Sequence, residues 1–159
     1  MTGEVRVREA RLDELPVLQR FEQAVVAAER PFDSTLRDTG VRYYDIDALL
    51  RSPDTRFAVA EIQGELIGCG FARIDAAKPF LNHDRHAYLG LMYVDPRHRG
   101  RGVNQLIIED LKHWCRARRV YELKLDVYAG NLAAVRAYEK AGFSGLLLQM
   151  RVNIEPHGQ

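Results

Sequence analysis

His86-Ala87-Tyr88-Leu89-Gly90-Leu91-Met92-Tyr93-Val94, then Asp95-Pro96-Arg97-His98-Arg99-Gly100-Arg101-Gly102, then Val103-Asn104-Gln105-Leu106-Ile107 read in turn as a strand, a basic glycine-rich turn and the opening of a helix. A helix N-terminus leaves its first backbone N–H groups without intrahelical partners and carries the positive end of the macrodipole, so it attracts anions. Gly100 and Gly102 remove side chains that would block close approach, and they allow a nest-like backbone. Arg97, Arg99 and Arg101 add local charge. The arrangement suits a diphosphate, but it also fits an exposed basic turn with two convenient glycines. A Walker A loop needs four residues between its glycines and then Lys-Ser/Thr, and the dinucleotide fingerprint needs a third glycine; neither is present.

Outward from this turn, the pattern is a regular alternation of elements. Val5 and Val7 alternate with charged residues over 4–9, a half-buried strand. Leu15, Leu18, Phe21, Val25 and Ala28 follow at helical spacing and predict a helix over 12–29, with Pro16 early enough to be tolerated. Tyr43 to Leu50 reads as a short second helix stopped by Ser52-Pro53. From Thr55 the period becomes two, and the turn Gln63-Gly64 makes 55–74 a β-hairpin. A polar loop over 75–85 leads into the strand 86–94. Leu106, Ile107, Leu111, Trp114 and Cys115 mark a helix over 103–118. Tyr121 to Tyr128 alternates as a strand, Asn131 caps a helix that ends at Gly142, and Phe143 to Ile154 reads as a last strand. The order β-α-α-β-β-β-α-β-α-β predicts a mixed α/β sheet in a single domain over 1–159, with its core over about 4–154.

The chain's 159 residues suffice for one core without staples. Hydrophobic residues make up 47% and charged residues 28%, and the net charge is +1. That balance supplies no global field for nucleic acid or an anionic membrane, so anion recognition must be local. No apolar run approaches the ~20 residues of a membrane span. Cys69 and Cys115 stand far apart in no metal-ligand spacing, which predicts idle thiols, no metal centre and a cytoplasmic setting.

A second constellation is Asn131-Leu132-Ala133-Ala134-Val135-Arg136-Ala137-Tyr138-Glu139-Lys140-Ala141-Gly142-Phe143. Asn131 and Tyr138 are seven apart and so share a helix face, with the small Ala134 between them. Taken alone, Tyr138 also fits an amphipathic core position and Asn131 a plain N-cap. Together, the two segments resemble the GCN5-related N-acetyltransferases. The turn is similar to that family's Arg/Gln-x-x-Gly-x-Gly/Ala pyrophosphate loop. Aligned on Arg99 and Gly102, the last position falls on Asn104, neither Gly nor Ala; aligned on Arg97, Gly100 and Gly102 the pattern is complete, but strand and helix fit less well. The second segment matches Asn-x-x-Ala-x-x-x-Tyr-x-Lys-x-Gly-Phe throughout.

The resemblance implies a sheet that splays between the strands 86–94 and 121–128, with acetyl-CoA entering the splay as cosubstrate. It implies main-chain contacts to pantetheine from Met92, Tyr93 and Val94, with an N–H of Met92 or Tyr93 holding the thioester oxygen. It further implies pyrophosphate contacts from Arg99, Gly100, Arg101, Gly102, Val103 and Asn104, and contacts to the pantetheine arm from Asn131 and Ala134. Tyr138 is implied as the acid that protonates the leaving thiolate, a phenol being protonated at neutral pH. Many relatives carry a carboxylate on the strand before the loop; here that stretch reads Leu89-Gly90-Leu91-Met92. His83, Asp84, His86 or water are the alternatives for a base. Glu29, Arg30, Phe32, Tyr43, Tyr44, His83 and His86 are expected to line the acceptor site. The acceptor is a small-molecule or peptide amine, and the protein a monomer or homodimer. A non-catalytic acyl-CoA sensor is the competing expectation.

Overall fold

The computed structural model describes residues 3–156. The chain divides into two compact units, Met1–Asp126 and Val127–Gln159. The first holds β1 (Arg6–Glu9), α1 (Leu15–Glu29), α2 (Ile46–Arg51), β2 (Thr55–Ile62), β3 (Glu65–Ala76), β4 (Arg85–Val94), α3 (Val103–Ala117) and β5 (Leu123–Lys124). The five strands lie in sequence order. The pairs from β1 to β4 are antiparallel and β4–β5 is parallel. The mixed α/β sheet is the one the alternating patterns predict.

Both faces of the sheet are covered. On one, Leu18 of α1 and Ile46 and Leu49 of α2 pack with Phe57, Val59, Cys69, Phe71 and Leu91. On the other lies α3, whose buried residues are Val103, Ile107, Ile108, Leu111 and Cys115. Leu106, expected on that buried stripe, is 45% exposed; Ile108 takes its place because the helix is rotated toward the 107–111–115 line. The β2–β3 turn has Gln63 and Gly64 both at positive φ (50° and 81°), the type I′ geometry whose twist suits a two-residue hairpin. Both thiols are buried, and burial pushes that of Cys115 up to about 11.

Two elements begin later than their patterns suggest. Leu12–Glu14 is a 3-10 turn, and α1 proper begins at Leu15 with Pro16 in its first turn. The second helix starts at Ile46 rather than Tyr43, because the Tyr43 and Tyr44 amides are taken by the buried carboxylate of Glu22 (3.0 Å each). Asp45 then caps the helix by accepting from the Ala48 amide at 3.1 Å.

The second unit contains α4 (Leu132–Lys140). Asn131 is its N-cap, accepting from the Ala134 amide at 3.2 Å. Gly142, at φ 99°, takes the left-handed position just past its end. The strand expected over 143–154 does not form, and that expected over 121–128 shrinks to Leu123–Lys124. Alternation favours extended backbone but supplies no partner, and a strand exists only where a neighbour closes its ladder. Leu146, Leu148, Met150, Val152 and Ile154 are all more than 70% exposed.

Candidate active site

The site grows from an irregularity in β4. Below it, Gly90 pairs with Phe71; above it, Tyr93 pairs with Cys69, so β4 carries one residue more than β3 over this stretch. The bulge is marked by Leu91 at φ 47°, a left-handed conformation rare for a branched side chain. The Leu91 side chain remains in the core, 3% exposed, and its carbonyl accepts from the Cys69 thiol at 3.3 Å.

The extra residue changes which way the amides face. Ala87 N–H bonds the Glu122 carbonyl on the β5 side, while Asp95 N–H bonds the Ile67 carbonyl on the β3 side. Strand alternation carried from each end toward the middle directs the N–H groups of both Leu91 and Met92 to the β5 side. Tyr93 N–H falls on the β3 side, opposite Cys69. On the β5 side the ladder has already ended, since the pairing covers only Ala87–Leu123 and Tyr88–Lys124. From Leu89 to Val94 that edge has no strand partner among the described residues.

Past Val94 the chain turns through Pro96–His98 into α3. Gly100 and Gly102 both have positive φ (76° and 78°), and nothing lies within 4 Å of a Cβ built on either. Gly102 is the N-cap of α3, with no side-chain cap, so no side chain satisfies the first-turn amides of α3 as a cap would. The three arginines differ. The Arg97 guanidinium bonds Asp95 (3.0 and 3.2 Å) and Glu65 (3.1 Å), and it holds the Asp95 carboxyl below the usual carboxylate range. Arg99 folds back to bond the Val94 carbonyl at 3.1 Å. Arg101 is exposed.

Over the bulge sit side chains from α1 and the segment before α2. Tyr44 packs edge-on against Phe71 at 4.9 Å, and its hydroxyl is 2.9 Å from where a Cβ at Gly90 would stand. Tyr88 donates to Asp126 Oδ2 at 3.3 Å. Partial burial raises the Glu29 carboxyl above the usual range. Tyr93 stacks on Phe21 at 4.7 Å. An open cleft of about 430 Å³ runs between α1 and residues 42–47, lined by Glu22, Tyr43 and Tyr44 among others.

Glu29 is the last residue of α1 and Tyr43 lines the cleft, while Phe32 lies in the 3-10 turn after α1 and is 38% exposed. His86 faces Asp75 across the β3–β4 pair at 4.0 Å, and burial lowers its pKa. His83 bonds Asn82 at 3.3 Å in the loop before β4. In the second unit, Tyr138 and Phe143 meet edge to face at 5.9 Å. Sequence reasoning passed over Glu22, Tyr88 and Asp126. Glu22 falls midway on the Leu18–Val26 stripe, where a carboxylate would be buried. Asp126 lies two residues beyond Lys124, the partner of Tyr88, and hence on its face.

Comparison with known proteins agrees with this geometry. Residues 20–143 match the acetyltransferase (GNAT) family. The chain is 31% identical over 103 residues to the N-alpha-acetyltransferase RimI of Mycobacterium tuberculosis, covering 64% of this chain and 60% of that one. It therefore spans about three fifths of that relative's length. It is 31% identical over 136 residues to an acetyltransferase of Sodalis glossinidius, covering 83% and 89% of the two chains. The structure of a predicted acetyltransferase from Clostridium acetobutylicum, solved with acetyl-CoA, superposes with a TM-score of 0.72 at 17% identity, covering 98% and 100%. With a bulged, partly unpaired fourth strand leading into a glycine-capped helix, and a family match over most of its length, this chain belongs to the GNAT acetyltransferases.

Proposed function

We propose that the protein transfers an acetyl group from acetyl-CoA to a primary amine by direct attack of the amine on the thioester. The observation that carries this reading is the bulge at Leu91, which sets two amides side by side on an edge with no strand partner. Just beyond it is a helix N-terminus without a side-chain cap. Backbone donors fixed before the reaction stabilise a developing oxyanion, each worth ~2.7–4 kcal/mol. Met92 N–H is a better candidate than Tyr93 N–H, because the latter is directed at β3.

The glycine-capped turn fits a diphosphate. Its two left-handed glycines keep the approach open, and α3 offers its first amides. Arg99, Gly100, Arg101, Gly102, Val103 and Asn104 would hold the pyrophosphate, and Met92 and Val94 would pair with the pantetheine. Arg97 is spent on Asp95 and Glu65, which favours the register that starts at Arg99. Asn131 and Ala134 as pantetheine contacts, and Tyr138 as the acid for the leaving thiolate, rest on the motif alone. Glu29 and Tyr43 would line the acceptor side, and their carboxylate and phenol suit an amine that arrives as a cation.

The decisive experiment pairs calorimetry with coenzyme A and release of free thiol from acetyl-CoA over a panel of small amines and peptides. Binding with amine-dependent thiol release supports the transferase. Binding with no release from any amine would leave a sensor of acyl-CoA, the reading favoured by the absence of a carboxylate from Leu89 to Val94. No heat would sink both.

A further inference from the structure

Three half-buried tyrosines pack against the core around the Leu91 bulge: Tyr88 and Tyr93 from β4, and Tyr44 from the segment before α2. Tyr88 is held by Asp126 at 3.3 Å and lies under the Arg73 guanidinium at 5.3 Å. Tyr93 is stacked on Phe21 of α1 at 4.7 Å. Of the three, only Tyr44 also lines the open cleft between α1 and residues 42–47. An acceptor that enters by that cleft meets Tyr44 before it meets the strand.

We propose that Tyr44 is the specificity-determining wall of the acceptor site, admitting amines borne on an unbranched carbon and rejecting those on a branched one. This rests on the acetyl-CoA reading above. Gly90 contributes no side chain, and the space above it is taken from the α1 side instead. The Tyr44 hydroxyl stands 2.9 Å, and Phe71 Cζ 2.4 Å, from the point its Cβ would occupy. Met92, whose N–H is the candidate for the thioester oxygen, is only two residues further along β4. The attacking nitrogen therefore reaches the thioester carbon beside the phenol. A branch on the carbon that follows the nitrogen is pressed against it.

A wall discriminates by size only if it does not yield, and this one is held at both ends. At the ring, Tyr44 packs edge-on against the fully buried Phe71 at 4.9 Å. At the backbone, its N–H and that of Tyr43 are each bound at 3.0 Å by Glu22, itself 1% exposed. The next residue, Asp45, is fixed as the cap of α2 by the Ala48 amide at 3.1 Å. Moving the ring aside would break bonds that are buried, where an amide left without a partner is costly. Against a wall so held, one additional methyl group on the acceptor is worth roughly 10- to 200-fold in kcat/KM. Tyr44 acts here through its shape and gives or takes no proton.

The test measures thiol release from acetyl-CoA with glycinamide, alaninamide and valinamide, each normalised to its uncatalysed reaction. With the unmodified protein, kcat/KM should fall by about tenfold or more from glycinamide to valinamide. Tyr44→Ala should bring that ratio to within about threefold, with valinamide the acceptor that gains. Tyr44→Leu, which keeps an apolar contact with Phe71, should do the same if the alanine variant folds poorly. A purely structural loss would slow all three acceptors alike and leave the ratio where it was. Heats of coenzyme A binding are measured on every variant and should be intact. If those heats are intact and the unmodified protein uses valinamide as well as glycinamide, uses none of the three, or passes its preference unchanged to both variants, the wall is wrong while the transferase reading stands. Absence of heat with the unmodified protein overturns the parent reading and the wall with it.

Discussion

The Tyr44 hydroxyl stands 2.9 Å from the point a Cβ on Gly90 would occupy, with the Phe71 ring carbon Cζ 2.4 Å from the same point. The two aromatic residues fill the space a side chain would need, so Gly90 belongs to the bulge as much as Leu91 does. Gly90→Ala is expected to cost about 1–3 kcal/mol of stability by overpacking. Thermal melts should show Tm falling by several degrees, and thiol release should fall further than stability alone explains.

Glu22 is 1% exposed and accepts from two successive amides. Glu22→Ala leaves Tyr43 N–H and Tyr44 N–H without that acceptor. Each donor buried without a partner costs about 1–3 kcal/mol, so a urea midpoint well below that of the unmodified protein is expected. Glu22→Gln keeps one oxygen as acceptor and should lose less.

Arg8 bonds Glu14 through both guanidinium ends, at 2.8 and 3.0 Å. The hydrogen bond from Arg8 outweighs burial and holds the Glu14 carboxyl below its ordinary value. A carboxyl depressed in the folded state adds stability above the unfolded pKa of about 4.3 and loses it as pH falls through the folded value. Glu14→Gln should therefore cost about 1–3 kcal/mol at pH 7, with the gap from the unmodified protein closing below about pH 4. Urea titrations at pH 7 and pH 3 measure it.

Gly102 caps α3 in the left-handed region. Gly102→Ala has open space for its methyl group but bears a backbone cost of about 1–2 kcal/mol. If the cost falls on the binding-competent turn, coenzyme A affinity drops about 5- to 30-fold. Arg97→Ala, by contrast, removes a guanidinium already held by Asp95 and Glu65 and should leave that affinity unchanged. Calorimetry separates the two.

Tyr138→Phe keeps the ring that packs on Phe143 and removes the hydroxyl. It should lower kcat by roughly 10²–10⁴-fold with coenzyme A affinity intact. An unchanged kcat would remove the phenol from the chemistry.

The elements from β2 to α3 were legible because period, turn chemistry and glycine placement all agree there; Gln63-Gly64 alone fixes a two-residue hairpin. The glycine-rich turn into α3 was legible for the same reason, since a helix that follows a strand and has a glycine as its N-cap is a local feature. The Leu91 bulge was not. A bulge is a mismatch between two strands, and no one strand's alternation records it. Glu22 and the Tyr88–Asp126 pair were hidden similarly, because their partners lie 21 and 38 residues away. The last strand, expected over 143–154, failed for the converse reason: an apolar stretch favours extended backbone but carries no record of whether a partner lies beside it.

The odd residue in β4 also works as a phase counter. Tyr88 and Gly90 precede it and Tyr93 follows it, yet all three present toward α1, an odd number of steps from Gly90 to Tyr93. Removing any one residue between Leu89 and Met92 would throw the upstream and downstream halves onto opposite sides of the sheet. The tyrosines and the glycine-capped turn would then lose their common orientation, even with every side chain retained. This segment should bear exchanges of side chain far better than any change in its length.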